Sequence, residues 1–350
     1  MDKKKARLIV FAVVVLAVAL AVLGVLIFGK KNTQTEHLEL EASAQLEGKL
    51  PIEELQEEQT DADSGALPDN EEEAEAAGNI LNEGLAIGGV NTEARALLQQ
   101  INEAWLLDEK YALEPQTVDG IYMEWLHEKE KTSEKAILML HGGAYIRALD
   151  YNGATYRRIG EQYAKISGAS VLIVDYRIAP ENPYPAALED ALLGYKWLLD
   201  NGYKGEDIII AGDSAGGGLT LAVALYLRDN EMPLPAALVT MSAWTNLDYP
   251  RMKVAYVGDE NSAKNPYISP VYAEFSGLPP ILMQVGTRDI LQDTLTVAQL
   301  AEAAGVTVQQ TTYDKMFHVF QALFPQNEDS NKAWDEVEAF IKAIYAQQEE

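Results

Sequence analysis

The sequence predicts an α/β fold with a mostly parallel central sheet covered by helices on both faces. Short segments that are apolar throughout alternate with segments in which apolar residues recur at helical spacing. Fully apolar strands are typical of parallel sheets, because both of their faces are buried. The predicted strands are Ala136–Leu140, Val171–Val174, Ile208–Ala211, Ala236–Met241 and Ile281–Val285. The predicted helices are Ala154–Ser167, Ala186–Asp200, Ala215–Asp229, Leu291–Ala304 and Asn331–Ala346.

Residues 1–31 are predicted to form a transmembrane anchor. The stretch from Leu8 to Phe28 has 21 residues without a polar side chain. A helix of that length is about 31 Å long and matches a hydrocarbon core of roughly 30 Å. The excess of basic residues before the stretch places the N-terminus in the cytoplasm, so the rest of the chain is expected on the extracytoplasmic side of the cell membrane. Cleavage near Ala44, as in a secreted protein, is the alternative.

Residues 32–78 are predicted to be an acidic, disordered tether. This segment has 15 Asp and Glu residues, one Lys and no aromatic residue. It cannot bury enough apolar surface to offset the entropy lost on ordering its backbone. Beyond it, the apolar spacing from Thr92 to Leu107 predicts an amphipathic helix.

Composition excludes several classes of function. The chain of 350 residues has a formal net charge of −27, and nucleic-acid binding requires a basic surface. It has no cysteine, which excludes disulfides, Cys-based zinc sites, iron–sulfur clusters and cysteine nucleophiles. We therefore expect no nucleic-acid partner.

Gly212-Asp213-Ser214-Ala215-Gly216 matches the pattern G-x-S-x-G between a predicted strand and a predicted helix. Such an elbow holds a nucleophilic serine on a tight turn, and the amide of Ala215 is placed to donate to an oxyanion. A dinucleotide-binding glycine turn is the competing interpretation, with Tyr249 and Lys253 as a dehydrogenase-like pair. It is disfavoured because Pro250 interrupts the helix that such a pair needs, and because this turn does not follow the first strand.

A serine nucleophile needs a base and an orienting acid. In enzymes with this elbow the acid and the histidine follow the serine along the chain, and His318 is the only one of four histidines beyond Ser214. Asp289 lies just after a buried strand and is the favoured acid, with Asp293 and Asp314 as alternatives.

A second glycine-containing turn, His141-Gly142-Gly143-Ala144, ends the predicted strand Ala136–Leu140. Backbone N–H groups in such a turn can face a ligand, so Gly142 and Gly143 are candidate oxyanion donors. A metal at His141 is disfavoured, because no carboxylate or second histidine lies nearby in the sequence.

Together these motifs resemble the hormone-sensitive-lipase-like esterases of the α/β-hydrolase fold. The resemblance covers about residues 115–346 and includes the proline-rich segment Asp175–Asp190. It implies carboxylic-ester hydrolysis with Ser214 as nucleophile, His318 as base and Asp289 as acid. The amides of Gly142, Gly143 and Ala215 would form the oxyanion hole.

The resemblance also implies an N-terminal helical cap, here about residues 79–115, followed by a catalytic domain at 116–350. Many members carry a third glycine where this chain has Ala144, so a positive φ there would strain the loop.

We therefore expect a membrane-anchored serine esterase that forms an acyl-enzyme and needs neither cofactor nor metal. Its substrate would be a small or envelope-linked ester. A deacylase of a cell-envelope polymer, or a peptidase, is the alternative on the same triad. A non-catalytic receptor on this scaffold is less expected, because His318 is present. The oligomeric state is not predicted.

Overall fold

A computed structural model describes residues 105–131, 133–249, 254–323 and 327–347. Eight strands form one sheet in the order β1-β2-β4-β3-β5-β6-β7-β8. The strands are β1 Tyr111–Val118, β2 Ile121–Glu128, β3 Ala136–Leu140, β4 Ser170–Val174, β5 Ile208–Asp213, β6 Ala237–Met241, β7 Ile281–Arg288 and β8 Val308–Phe317. The helices are α1 Leu149–Ser167, α2 Ala186–Asp200, α3 Ser214–Asp229, α4 Leu291–Ala303, α5 Phe320–Leu323 and α6 Glu328–Ala346.

The central strands confirm the predicted parallel sheet. Strands β3 to β8 pair in parallel, and every residue of β3, β4, β5 and β6 is buried. Along β3, Leu138 and Leu140 belong to one hydrophobic cluster, whereas Ile137 and Met139 belong to another. Alternate side chains therefore enter two cores, one on each face of the sheet, as full burial of a parallel strand requires.

Both edges of the sheet contain strands that the apolar runs did not predict. Strands β1 and β2 form an antiparallel hairpin through Asp119 and Gly120, whose φ values are +48° and +87°. Positive φ at both central residues is the geometry of a tight hairpin turn. Residues 111–115 thus belong to the sheet, whereas the sequence placed them in the cap segment.

The predicted anchor and tether lie outside the described residues, as does the predicted cap up to residue 104. Trp105 to Leu107, the end of the predicted amphipathic helix, are not helical. Where the structure describes the chain, it contains no helix that is long and apolar enough to cross a membrane.

The parallel strands bring five loops to one edge of the sheet. Because their carboxyl ends meet at the same edge, the residues that follow β3, β5, β6, β7 and β8 lie near one another. These residues are His141, Ser214, Ser242, Asp289 and His318. The topology therefore gathers the chemically active residues of the sequence at the carboxyl edge.

Candidate active site

Ser214 sits on the sharp turn between β5 and α3, with a φ of +51°. The turn is possible because its flanks are glycines: a Cβ on Gly212 would lie 2.4 Å from the Gly216 carbonyl oxygen. A Cβ on Gly216 would lie 2.0 Å from the carbonyl oxygen of Leu140 on the neighbouring strand. The small residues of the motif thus let strand and helix approach closely and hold the serine in a conformation that L residues rarely adopt.

The structure brings Ser214, His318 and Asp289 into one hydrogen-bonded chain. Ser214 Oγ lies 2.8 Å from His318 Nε2, and His318 Nδ1 lies 2.7 Å from Asp289 Oδ1. The side chain of Asp289 is 1% exposed and that of His318 is 16% exposed. The aspartate is therefore shielded from water, while the imidazole is slightly exposed.

The other candidate acids and His127 are not part of this hydrogen-bonded chain. Asp293, one helical turn after Asp289, lies near the backbone N–H groups of residues 245 and 246, which act to lower its pKa. Asp314 is exposed and accepts a hydrogen bond from Thr287. His127 lies on β2, with Nε2 3.3 Å from a carboxylate oxygen of Glu114.

The charges of the triad stabilise one another. Burial alone lowers the pKa of His318, but the Asp289 carboxylate, its hydrogen bond and the charge of Asp213 outweigh burial and raise it. Burial acts on Asp289 in the opposite direction, and the charge and hydrogen bonding of His318 bring its pKa below the usual range. The pair thus favours an imidazolium beside a carboxylate, the charge state that forms when the histidine takes a proton from serine.

The glycine loop after β3 has an unusual backbone. Gly143, Ala144 and Tyr145 have φ values of +123°, +56° and +60°. Ala144 thus adopts the left-handed conformation that would strain a residue with a Cβ. The N–H of Gly142 lies beside the Asp213 carboxylate and opposes the rise of its pKa, and the role of this amide as an oxyanion donor stays a prediction.

Asp213 is a member of the site that the sequence analysis missed. It is buried beside Ser214 and accepts a hydrogen bond from the Tyr156 hydroxyl at 3.1 Å. Burial raises its pKa to about 6, against the opposing effects of the His318 charge, Tyr156 and the N–H of Gly142. Its position in the G-x-S-x-G motif was the available signal, but its contacts depend on the packing of α1.

Two residues after β6 also contact the site. Ser242 Oγ accepts the N–H of Val319, which follows His318, at 2.9 Å. The backbone N–H of Trp244 donates to the carbonyl oxygen of Ser214 at 2.8 Å. Nothing in their local sequence signals these roles, because both contacts join segments that are far apart along the chain. In the described ranges, no group of three or more His, Asp and Glu side chains is arranged to hold a metal ion.

Comparison with known proteins agrees with this architecture. A family of proteins with the α/β-hydrolase fold matches residues 137–322. The chain belongs to this family. It is 33% identical to an acetyl-hydrolase of Streptomyces hygroscopicus, over 65% of this chain and 81% of that protein. An esterase of Acinetobacter venetianus is 30% identical, over 66% of this chain and 83% of its own length.

A solved structure of an esterase from the bacterial hormone-sensitive lipase family is also similar. It has a TM-score of 0.67 and 31% identity, and it covers 79% of this chain and 99% of its own. These likenesses confirm the predicted hormone-sensitive-lipase-like family and α/β-hydrolase fold. They also confirm the prediction of a carboxylic ester hydrolase.

Proposed function

We propose that the protein hydrolyses carboxylic esters by acyl transfer to Ser214, with His318 as general base and Asp289 as the acid that orients it. The observation that carries the proposal is the continuous chain of hydrogen-bond distances, 2.8 Å and 2.7 Å, through the imidazole. The three residues come from three separate loops, so this alignment is a product of the whole fold. An ordinary serine hydroxyl is a weak nucleophile and needs such a base.

In the first half of the reaction, Ser214 Oγ attacks the ester carbonyl carbon and His318 Nε2 takes the hydroxyl proton. The carbonyl oxygen becomes an oxyanion, which the amides of Gly142, Gly143 and Ala215 stabilise. Ala215 lies in the first turn of α3, where backbone N–H groups have no partner within the helix. Collapse of the tetrahedral intermediate breaks the C–O bond, and the imidazolium returns the proton to the departing alcohol.

In the second half, water attacks the acyl-enzyme and His318 takes its proton. Collapse of the second tetrahedral intermediate breaks the bond between Ser214 Oγ and the acyl carbon, which releases the carboxylic acid, and the His318 imidazolium returns the proton to Ser214 Oγ. Throughout, the Asp289 carboxylate keeps Nδ1 protonated and stabilises the imidazolium without itself taking the proton. The buried position of Asp289 strengthens this interaction, because water does not screen it.

The relatives support esters of short acyl chains as substrates. One relative is named an acetyl-hydrolase, and the crystal of a similar esterase was soaked with p-nitrophenyl butyrate. Acetyl groups are also common on cell-envelope polymers, so a polymer deacylase that uses the same triad is the second candidate. Its support is the sequence-based expectation of an extracytoplasmic location.

A fluorophosphonate probe tests the catalytic proposal directly. We expect the wild-type protein to be labelled on Ser214 alone, because labelling needs an activated hydroxyl and donors for the anionic phosphorus centre. Ser214→Ala should abolish labelling, and His318→Ala should nearly abolish it, because triad members act as a unit. A folded wild-type protein that resists probes of several sizes would contradict the proposal. Labelling without cleavage of simple esters would favour the polymer deacylase.

We further propose that residues 1–31 anchor the enzyme in the cell membrane with its catalytic domain outside. The support is the apolar stretch of 21 residues and its basic flank. The full-length protein should sediment with membranes and resist extraction by high salt, whereas the chain without residues 1–31 should be soluble and active. If the full-length chain is expressed and the protein is recovered in the soluble fraction after cleavage near Ala44, the anchor is contradicted.

A further inference from the structure

Ser242 occupies a strained position between the base and acid loops. It follows β6, is fully buried and has a φ of +51°. Its backbone N–H is fixed by the carbonyl oxygen of Gln284 on β7, at 2.8 Å. A residue with a Cβ persists in the left-handed region only where its surroundings determine its conformation, and such positions cluster at functional sites.

Val319, the residue after His318, is strained in the same way. Its φ is +55°, which is rare for a β-branched side chain, and it is 8% exposed. Its N–H donates to Ser242 Oγ at 2.9 Å. A hydrogen bond therefore joins two strained backbones, one on the loop after β6 and one on the loop that carries His318.

The same hydroxyl faces the third loop. The Ser242 hydroxyl is close enough to the Asp289 carboxylate to help lower the pKa of that group, which favours its charged form. A serine hydroxyl has one proton to donate and two lone pairs that accept, so it can serve Val319 and Asp289 at once. Ser242 is also tied to β7, the strand that leads to Asp289, because its backbone N–H donates to the Gln284 carbonyl oxygen at 2.8 Å. Ser242 therefore contacts both the loop that carries His318 and the strand that carries Asp289.

On the basis of the proposed triad, we propose that Ser242 is a positioning residue. It fixes the His318 and Asp289 loops against each other so that the imidazole stays aligned between Ser214 and Asp289. It does not touch the substrate and transfers no proton. Misplacing a catalytic group by about 1 Å can cost roughly 100-fold in rate, which is the scale of effect that such a tie can control.

The test uses two substitutions at Ser242 and one matched control. Ser242→Ala removes the hydroxyl, and Ser242→Gly removes it while also relieving the positive φ. Ser170→Ala, at a buried serine at the amino end of β4, removes a hydroxyl far from the carboxyl edge. We expect both Ser242 variants to lower kcat about 10- to 100-fold with KM changed less than about threefold, and Ser170→Ala to leave kcat unchanged.

The glycine variant separates positioning from folding. If Ser242→Gly melts at the wild-type temperature but loses as much kcat as Ser242→Ala, the lost hydroxyl is the cause. If Ser242→Gly keeps the wild-type kcat, the proposal is wrong. Wild-type labelling by the fluorophosphonate is measured alongside, so failure of the triad itself is recognised independently.

A double substitution identifies the group through which Ser242 acts. In an Asp289→Asn background the imidazole has already lost its orienting acid, so adding Ser242→Ala should cost less than about threefold. If the two losses instead multiply in full, Ser242 acts independently of the acid and base, and the positioning role is contradicted.

Discussion

The base side and the oxyanion side of Ser214 are held in place by different kinds of interaction. On the base side, side chains of separate loops bind one another: His318 lies between Ser214 and Asp289 at 2.8 Å and 2.7 Å. On the oxyanion side, the backbone of the glycine loop packs against buried side chains, and a Cβ on Gly142 would lie 2.3 Å from the Asp213 carboxylate. One side depends on opposite charges, and the other depends on the absence of side chains.

The electrostatics of the two sides differ accordingly. Asp289 has a cationic partner when His318 is protonated, and its pKa falls despite burial. Asp213 has neutral donors close by, and burial raises its pKa to about 6. His141, also fully buried, has its pKa lowered to about 4 by burial. Burial near Ser214 therefore produces a charged pair only where an oppositely charged side chain is in direct contact.

The largest expected effect on kcat comes from replacing Asp289, the acid on the base side. Asp289→Asn should keep the fold and lower kcat by about 10⁴-fold, the scale of the equivalent change in serine proteases. An amide can favour the wrong imidazole tautomer and cannot stabilise the imidazolium. Steady-state kinetics on p-nitrophenyl acetate measure the loss, and circular dichroism checks the fold.

Asp293→Asn is the matched control for that experiment. Asp293 is also partly buried, and burial raises its pKa to about 6 although backbone N–H groups oppose the shift. Because it does not contact His318, its loss should cost kcat less than about tenfold. If Asp293→Asn were the more damaging of the two, the acid would have been assigned to the wrong aspartate.

The next largest effect comes from crowding the oxyanion side. Gly142→Ala places a methyl group against the Asp213 carboxylate and 2.9 Å from the Tyr156 hydroxyl, so the loop must move. We expect kcat to fall about 10²- to 10³-fold, as when an oxyanion donor is lost. Gly153→Ala, in α1, is the control, because its Cβ would meet only the flexible end of Arg157 at 3.4 Å. Equal activity of the two variants would show that the loop tolerates displacement.

A smaller effect tests whether the charge of Asp213, on the oxyanion side, changes the pKa of His318, on the base side. The pKa of His318 is raised, so kcat/KM should increase with pH through a midpoint above about 6.5 as the free base forms. The charge of Asp213 is one of the causes that raise the pKa of His318. Asp213→Asn should therefore move the midpoint to lower pH, whereas Asp314→Asn, at an exposed carboxylate, should not. An unmoved midpoint in Asp213→Asn would mean that the two sides are electrically independent.

The sequence could predict features that depend on local residue patterns, but not contacts that form between distant loops. The central strands are apolar on both faces, and the predicted bounds of Ala136–Leu140 match β3. Strand β8 is partly exposed and has no such run, so it was missed. Ser214, His318 and Asp289 follow from residue type and chain order. The contacts of Asp213 and Ser242 could not be predicted, since they depend on which loops meet after folding.

The smallest expected effect concerns Ala144, where the oxyanion loop has a side chain at a φ of +56°. The left-handed conformation costs an L residue about 1–2 kcal/mol, whereas glycine adds about 0.5–1 kcal/mol of backbone entropy to lose on folding. Ala144→Gly should therefore raise the free energy of unfolding by up to about 1 kcal/mol and change kcat less than about threefold.

Ala339→Gly is the comparison variant, and it should change the free energy of unfolding in the opposite direction. Ala339 is an exposed residue inside α6, where the same substitution should lower the free energy of unfolding by about 1 kcal/mol. Urea denaturation of both variants compares the two positions directly. If Ala144→Gly is destabilised as much as Ala339→Gly, the left-handed backbone at residue 144 stores no strain. The oxyanion side would then be held by the packing at Gly142 and Asp213 alone.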